Sequence, residues 1–260
     1  MKRLMVGVAG FLMFSLTVTA ETAKPSPSTL PLNNAWFLQS SSEVKADGAA
    51  ISTSLYRPQG WYAVNLPTTV ARALVQNKVV PEPYFGMNLR KLPGVTYPIG
   101  ENFSNLAMAA DSPFAVSWWY RKTFVLPTSY KGKNLWLNFK GINYRANIWL
   151  NGKQIADKTQ VAGAWRTYEF DVTNSAKTGN NVLAVEVFAP TETDLAITFV
   201  DWNPSPPDKN MGLFRDVFLA ASGPVALRYP TVISKVDSPA NDKAHLSVTA
   251  LLKNSSDHPV

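Results

Sequence analysis

Alternation of large apolar with polar residues dominates the chain from about residue 118 onward. It predicts short β-strands over 119–126, 135–139 and 143–150. Asn151-Gly152 separates ANIWL from KQIAD, which predicts a hairpin, because a type I′ turn needs positive φ at both central positions. Further strands are expected over 166–172, 182–188 and 213–220. Short strands at this spacing, with turn residues between them, argue for an antiparallel sandwich. Residues 36–80 carry a mixed pattern with one persuasive helix, 68–77 (TTVARALVQN). Pro67 precedes it, a threonine can cap it, and Val70, Ala71, Leu74 and Val75 share a face; Pro81-Glu82-Pro83 ends it. Glu169 and Asp171 alternate with Tyr168, Phe170 and Val172 and read as the solvated face of a strand. Arg215 and Asp216 read as an ion pair that fixes a loop.

A boundary is expected near Ala221-Ser222-Gly223-Pro224. Beyond it lie strands over 225–236 and 245–253 with a polar turn (238–243) between them. Two or three strands do not make an independent sandwich, so 223–260 reads as the incomplete start of a second one. The alternative is a short β-extension packed on the main domain. At the other end, Lys2-Arg3, the apolar run 4–16 and Val18-Thr19-Ala20 form the tripartite pattern of a secretory signal peptide. The run is shorter than the roughly 20 apolar residues of a membrane span. The domain reading is therefore a signal peptide over 1–20, a Pro/Ser/Thr-rich flexible leader over 21–34, a main domain over 35–222 and the start of another over 223–260. It implies an exported protein, periplasmic or secreted, with no membrane anchor after cleavage.

Composition narrows the chemistry. The formal charge is +7, and loss of Lys2 and Arg3 leaves 23 basic against 18 acidic residues, or +5. The basic residues are scattered, and no nucleic-acid-reading motif appears, so the charge reads as solubility. There is no cysteine, and the two histidines, His245 and His258, lie near the C-terminal end. Thiolate zinc sites, cysteine nucleophiles and a Ser-His-Asp triad in the main body are thereby excluded. No P-loop, GxGxxG or repeat is present, and no cofactor is expected. Aromatic residues make up 12%, which suits the stacking of flat ligands and equally the core of a β-rich fold.

GINYRANIWLNGKQI (141–155) resembles the signature hairpin of the sugar-binding domain of glycoside hydrolase family 2, the family of β-galactosidases, β-glucuronidases, β-mannosidases and exo-β-glucosaminidases. PFAVSWWYRKTF (113–124), GAWRTYEFDVT (163–173) and NNVLAVEVFAP (180–190) resemble its neighbouring strands, in family order. DWNPSPPDKNMGLFRDVFL (201–219) and PEPYFGMNL (81–89) are similar to the branch of exo-β-D-glucosaminidases and mannosylglycoprotein endo-β-mannosidases. The resemblance implies an all-β fold: a jelly-roll (galactose-binding-like) β-sandwich, then an immunoglobulin-like sandwich of which only the start is present, then a TIM barrel. It also implies a retaining mechanism, in which two carboxylates about 5–5.5 Å apart act as acid/base and nucleophile. Both come from the barrel, the acid/base within an Asn-Glu pair. This sequence contains no Asn-Glu dipeptide, so no catalytic residue is expected here, and the chain alone is expected to be inactive.

Carried over from the related enzymes, Asp201 and Trp202 would touch the terminal sugar at the −1 subsite, with Asn203 as a neighbour and Asn88 and Tyr84 lining the same cleft. A carboxylate can accept from adjacent hydroxyls or pair with a glucosamine ammonium, and an indole can stack on the apolar face of a sugar ring. Read from the residues alone, Asp201 equally caps a turn and Trp202 equally fills a core. The expected partners are an oligosaccharide or glycan substrate and the C-terminal domains of the same polypeptide. A free-standing carbohydrate-binding module and an adhesive sandwich of the cell envelope are the alternatives, since fold alone does not decide between them.

Overall fold

The computed structural model describes residues 29–93, 108–197, 205–240, 242–256 and 258–259. Fourteen strands and two short α-helices are described. In chain order they are β1 (Thr29–Pro31), β2 (Trp36–Ser40), α1 (Gly48–Ile51), β3 (Tyr62–Val64), β4 (Thr68–Thr69), α2 (Val70–Gln76), β5 (Trp118–Leu126), β6 (Asn134–Phe139), β7 (Arg145–Leu150), β8 (Lys153–Ala156), β9 (Tyr168–Asp171), β10 (Gly179–Phe188), β11 (Gly212–Leu213), β12 (Val217–Ser222), β13 (Val225–Val236) and β14 (Ala244–Asn254). Two antiparallel sheets, ordered β1-β12-β6-β9 and β3-β2-β5-β10-β7-β8, pack face to face as the sandwich that the alternation implied. Leu135, Leu137 and Phe139 of one sheet meet Trp36, Leu38, Tyr120, Ile148, Leu183 and Val185 of the other in one continuous buried cluster.

The expected hairpin is present: Asn151 and Gly152 have φ of 54° and 86°, and β7 pairs with β8 across them. The Asn151 side chain does more than permit the turn. Its amide donates to Ser175 O and Asn181 Oδ1, and its oxygen accepts from the Val182 N–H. α2 begins where expected, with Thr69 Oγ1 accepting from Arg72 N at 3.3 Å. It ends with the Asn77 amide on the Ala73 carbonyl and Lys78 in the left-handed region.

Four sequence expectations change. The leader expected over 21–34 is structured from Thr29: Thr29–Pro31 is β1, paired with β12, and Leu32 is buried in the core. The strand expected over 213–220 is two pieces: β11 pairs with β4 in a small separate sheet, and β12 joins β6. Residues 214–216 between them are used elsewhere. Arg215 does not pair with Asp216: its guanidinium lies over the Trp165 and Phe214 rings, while Asp216 accepts from the Asn33 amide at 2.8 Å. Glu169 is not on an open solvated face either, because Arg228 and Lys253 engage it.

The six-stranded sheet is covered on both faces, which the sequence did not reveal. The segment 41–61, including α1, lies over its outer side and builds a second cluster from Ile51, Trp61, Trp119 and Ala184, with Phe37, Tyr56 and Trp149 against it. Arg121, on the outer face of β5, fastens this cover by donating to the carbonyls of Ile51 and Thr53, each at 3.0 Å. Gly48 permits the approach. A Cβ there would meet the Trp149 ring at 2.3–2.5 Å. Beyond the sandwich, β13 and β14 form a two-stranded sheet of their own.

Candidate functional site

Among the described residues, the chemistry gathers at one end of the sandwich, where α2, residues 82–92 and residues 205–213 meet. A cavity of about 240 Å³ lies there, walled by Thr69, Ala71 and Val75 from the α2 side, Tyr84 and Leu89 from the 82–92 segment, and Pro206 to Asp208. Arg72 and Glu82 face each other at 3.4 Å on its wall and are both well exposed. The lining is largely apolar apart from these ions, Asp208 and Asn210.

Asp208 organises this end. It is fully buried, Oδ2 accepting from Ala71 N at 2.7 Å and Oδ1 from Asn210 N at 2.9 Å. Burial pushes its carboxyl above the ordinary range, against the opposing pull of those N–H donors and the Thr69 hydroxyl. The carboxylate thus supplies the first turn of α2 with an acceptor in addition to Thr69, from a residue 137 positions away. The Tyr120 phenol is pushed up by the same burial, then by the Asp208 charge. Lys209 and Asn210 are both left-handed, with φ of 48° and 57°. The buried Asn143 amide donates to both of their carbonyls at 2.9 Å. Gly212 closes the turn: at φ 150°, any Cβ would strike Tyr120 Oη and the Thr68 carbonyl at 2.6–2.7 Å.

Two ion pairs tie the neighbouring strand ends. Arg145 grips Asp194 in bidentate fashion, Nη1 to Oδ2 at 2.6 Å and Nη2 to Oδ1. This pairing, followed by the Thr191 N–H and hydroxyl, holds the Asp194 carboxyl down at about 2. Lys209 Nζ donates to Glu192 at 2.9 Å, and that pairing lowers the Glu192 carboxyl. The acids Asp208, Asp194 and Glu192 therefore serve as caps and braces. No group of three potential metal-ligating side chains is found among the described residues.

Of the residues singled out from sequence, Asp201, Trp202 and Asn203 lie outside the described residues. Tyr84 is 95% exposed and sits on the cavity wall with Pro206, Pro207 and Asp208, so two of the resembling blocks, 81–89 and 201–219, do meet. Asn88 is committed to its own loop: its amide donates to the Glu82 carbonyl at 3.0 Å, and Leu89 beside it forms the wall. Sequence reasoning missed Asn143, Arg145, Glu192, Asp194 and Asp208. The only signal for Asp208 was its place in a Pro-Pro-Asp-Lys-Asn turn, and nothing local pointed to its distant partner.

Residues 36–199 match the family described as glycosyl hydrolase 2 galactose-binding domain-like. The chain belongs to that family. Its family 2 relatives include an exo-β-D-glucosaminidase of Amycolatopsis orientalis, 34% identical over 247 residues, covering 95% of this chain and 21% of the relative. A mannosylglycoprotein endo-β-mannosidase of Lilium longiflorum is 28% identical, covering 86% of this chain and 24% of the relative. The crystal structure of the A. orientalis exo-chitosanase CsxA superimposes with a TM-score of 0.76 at 34% identity, covering 88% of this chain and 24% of that one. A β-D-mannosidase of Dictyoglomus thermophilum shares the fold, with a TM-score of 0.64 at 19% identity. The chain spans about a fifth to a quarter of these relatives' length. It is thus the counterpart of one N-terminal domain of a glycosidase, and the jelly-roll fold is that of the family.

Proposed function

We propose that this chain is the sugar-facing N-terminal portion of an exported, retaining β-glycosidase that removes terminal β-glucosamine residues. The observation that carries the substrate is the 34% identity, over 95% of the chain, to an enzyme named exo-β-D-glucosaminidase. Four further relatives of that name are 31–35% identical, against 28% for the endo-β-mannosidase. In this reading Asp201 accepts hydrogen bonds from the terminal sugar or pairs with its ammonium, Trp202 stacks on its apolar face, and Asn203 assists. Tyr84 lines the same cleft in this reading, and Asp208 and Asn143 hold the 205–212 turn, which follows these three residues in the chain. The catalytic carboxylates come from the rest of the polypeptide. Export rests on Lys2-Arg3, the apolar run 4–16 and Val18-Thr19-Ala20.

The test uses the full-length polypeptide with aryl β-glucosaminide and aryl β-mannoside substrates. A hydrogen bond to a charged group is worth about 1.5–3 kcal/mol, so Asp201→Ala should lower kcat/KM on the glucosaminide roughly 10- to 100-fold. A wild-type preference for the mannoside, or an Asp201→Ala variant with unaltered kinetics, overturns the reading.

A further inference from the structure

Trp136 faces away from the sandwich core, since its neighbours Leu135 and Leu137 in β6 point inward, yet it is only 1% exposed. Its cover is charged. The Arg228 guanidinium lies 5.1 Å and the Lys253 ammonium 4.1 Å from the indole centroid. These cations come from opposite strands of the β13–β14 hairpin. Ala226 pairs with Lys253 and Arg228 with Leu251, which puts both cations on one face of the hairpin root. Glu169, on β9, lies near both: Oε2 is 2.7 Å from Arg228 Nε, an ion-pair approach without hydrogen-bond alignment, and Oε1 is 4.0 Å from Lys253 Nζ.

The linker is held at the same place. The Trp136 indole N–H donates to Ser222 Oγ at 2.9 Å, the Asn134 amide to the Gly223 carbonyl at 3.0 Å, and the Ser255 N–H to the Pro224 carbonyl at 2.7 Å. Ala226 is 1% exposed. Further along the hairpin the grip ends: Val232, Ile233, Leu246 and Val248 are all at least 60% exposed.

We propose that Trp136, Glu169, Arg228 and Lys253 form an electrostatic joint that fixes the direction in which the β13–β14 hairpin leaves the sandwich. The mechanical unit then runs through Arg228 and Lys253, several residues past the Ala221–Pro224 linker. Two cations over one indole repel each other, and Glu169 supplies the neutralising charge. Cation–π contacts strengthen when desolvated, and partly buried ion pairs resist screening more than exposed ones. The geometry is directional: an apolar patch tolerates sliding, whereas a carboxylate that must reach one cation from each strand does not. Whatever follows the hairpin inherits the orientation set here, and the inference does not depend on which sugar is bound.

The chain has no cysteine, so two introduced ones label cleanly. Spin labels at Lys131→Cys on the sandwich and Ser234→Cys on the hairpin, both exposed, would be read by pulsed dipolar spectroscopy on the full chain. The wild-type background should give one narrow distance distribution. Arg228→Met/Lys253→Met should broaden it roughly twofold. Glu169→Gln, which removes only charge, keeps the test alive should the double variant fold poorly, and it too should broaden the distribution. A distribution that stays narrow in folded Glu169→Gln and in the double variant overturns the joint and assigns the orientation to the linker hydrogen bonds.

Discussion

Replacing Arg145 by Met tests whether its pairing with Asp194 is an electrostatic brace. Asp194 is nearly buried, its side chain 7% exposed, so removal of its partner strands a charge. Breaking a fully buried pair costs about 3–5 kcal/mol. Two features reduce that figure here. The Thr191 N–H and hydroxyl still bind the carboxylate in the variant, at 2.8 and 3.0 Å, and the Arg145 side chain is 32% exposed. The carboxyl is lowered from 3.8 to about 2, which corresponds to roughly 2 kcal/mol of preference for the ionised form. After the Thr191 share and solvent screening are removed, Arg145 accounts for about 1–2 kcal/mol. A depressed carboxylate stabilises the fold above its ordinary pKa and loses that contribution as pH falls through the folded value. Urea unfolding of wild type and Arg145→Met should therefore differ by about 1–2 kcal/mol at pH 7, with the gap closing between about pH 4 and pH 2. A gap of the same size at pH 2 and pH 7 would refute the argument. It would assign Arg145 to packing over the Tyr144 ring, which its guanidinium overlies at 4.7 Å.

Gly48→Ala drives a methyl group into the Trp149 ring and should cost about 1–3 kcal/mol by overpacking, lowering Tm by several degrees in a thermal melt. Trp149→Leu in the same chain should recover part of that loss; an unchanged Tm for Gly48→Ala would show that the 41–61 cover lifts freely. Asp208→Ala removes the shared acceptor of Ala71 N and Asn210 N, for about 1–3 kcal/mol of destabilisation. Amide exchange should rise at these two positions before it rises in β10, and uniform acceleration throughout would show that Asp208 does not act locally.

What the sequence disclosed follows from the range of the interaction concerned. The Asn151-Gly152 turn and the Thr69 cap are local devices, and both were readable from a few residues. Strands β5, β6, β7 and β10 were readable from alternation, because one face of each meets the core. The outer cluster was not. Trp119 and Ala184 look like the other half of an alternating pattern, and the segment that covers them has no periodicity of its own. Phe214 to Asp216 continued an apparent strand, but Asn33, 183 positions away, takes up Asp216. The site divides in the same way. Asp201, Trp202 and Asn203 came from resemblance to a family motif, whereas Asp208 and the Arg145–Asp194 pair act through contacts 137 and 49 positions apart. A single sequence holds no trace of such pairings until the chain is folded.

The pairing of β1 with β12 also decides how the domain bears load. Thr29 lies opposite Ala220 and Pro31 opposite Phe218, so the chain enters and leaves the sandwich side by side at the same edge of one sheet. Tension between the segment before Thr29 and the segment after Ser222 would act across the strands and open that ladder one rung at a time. The sandwich core would then carry little of the force, and β1 would peel away first.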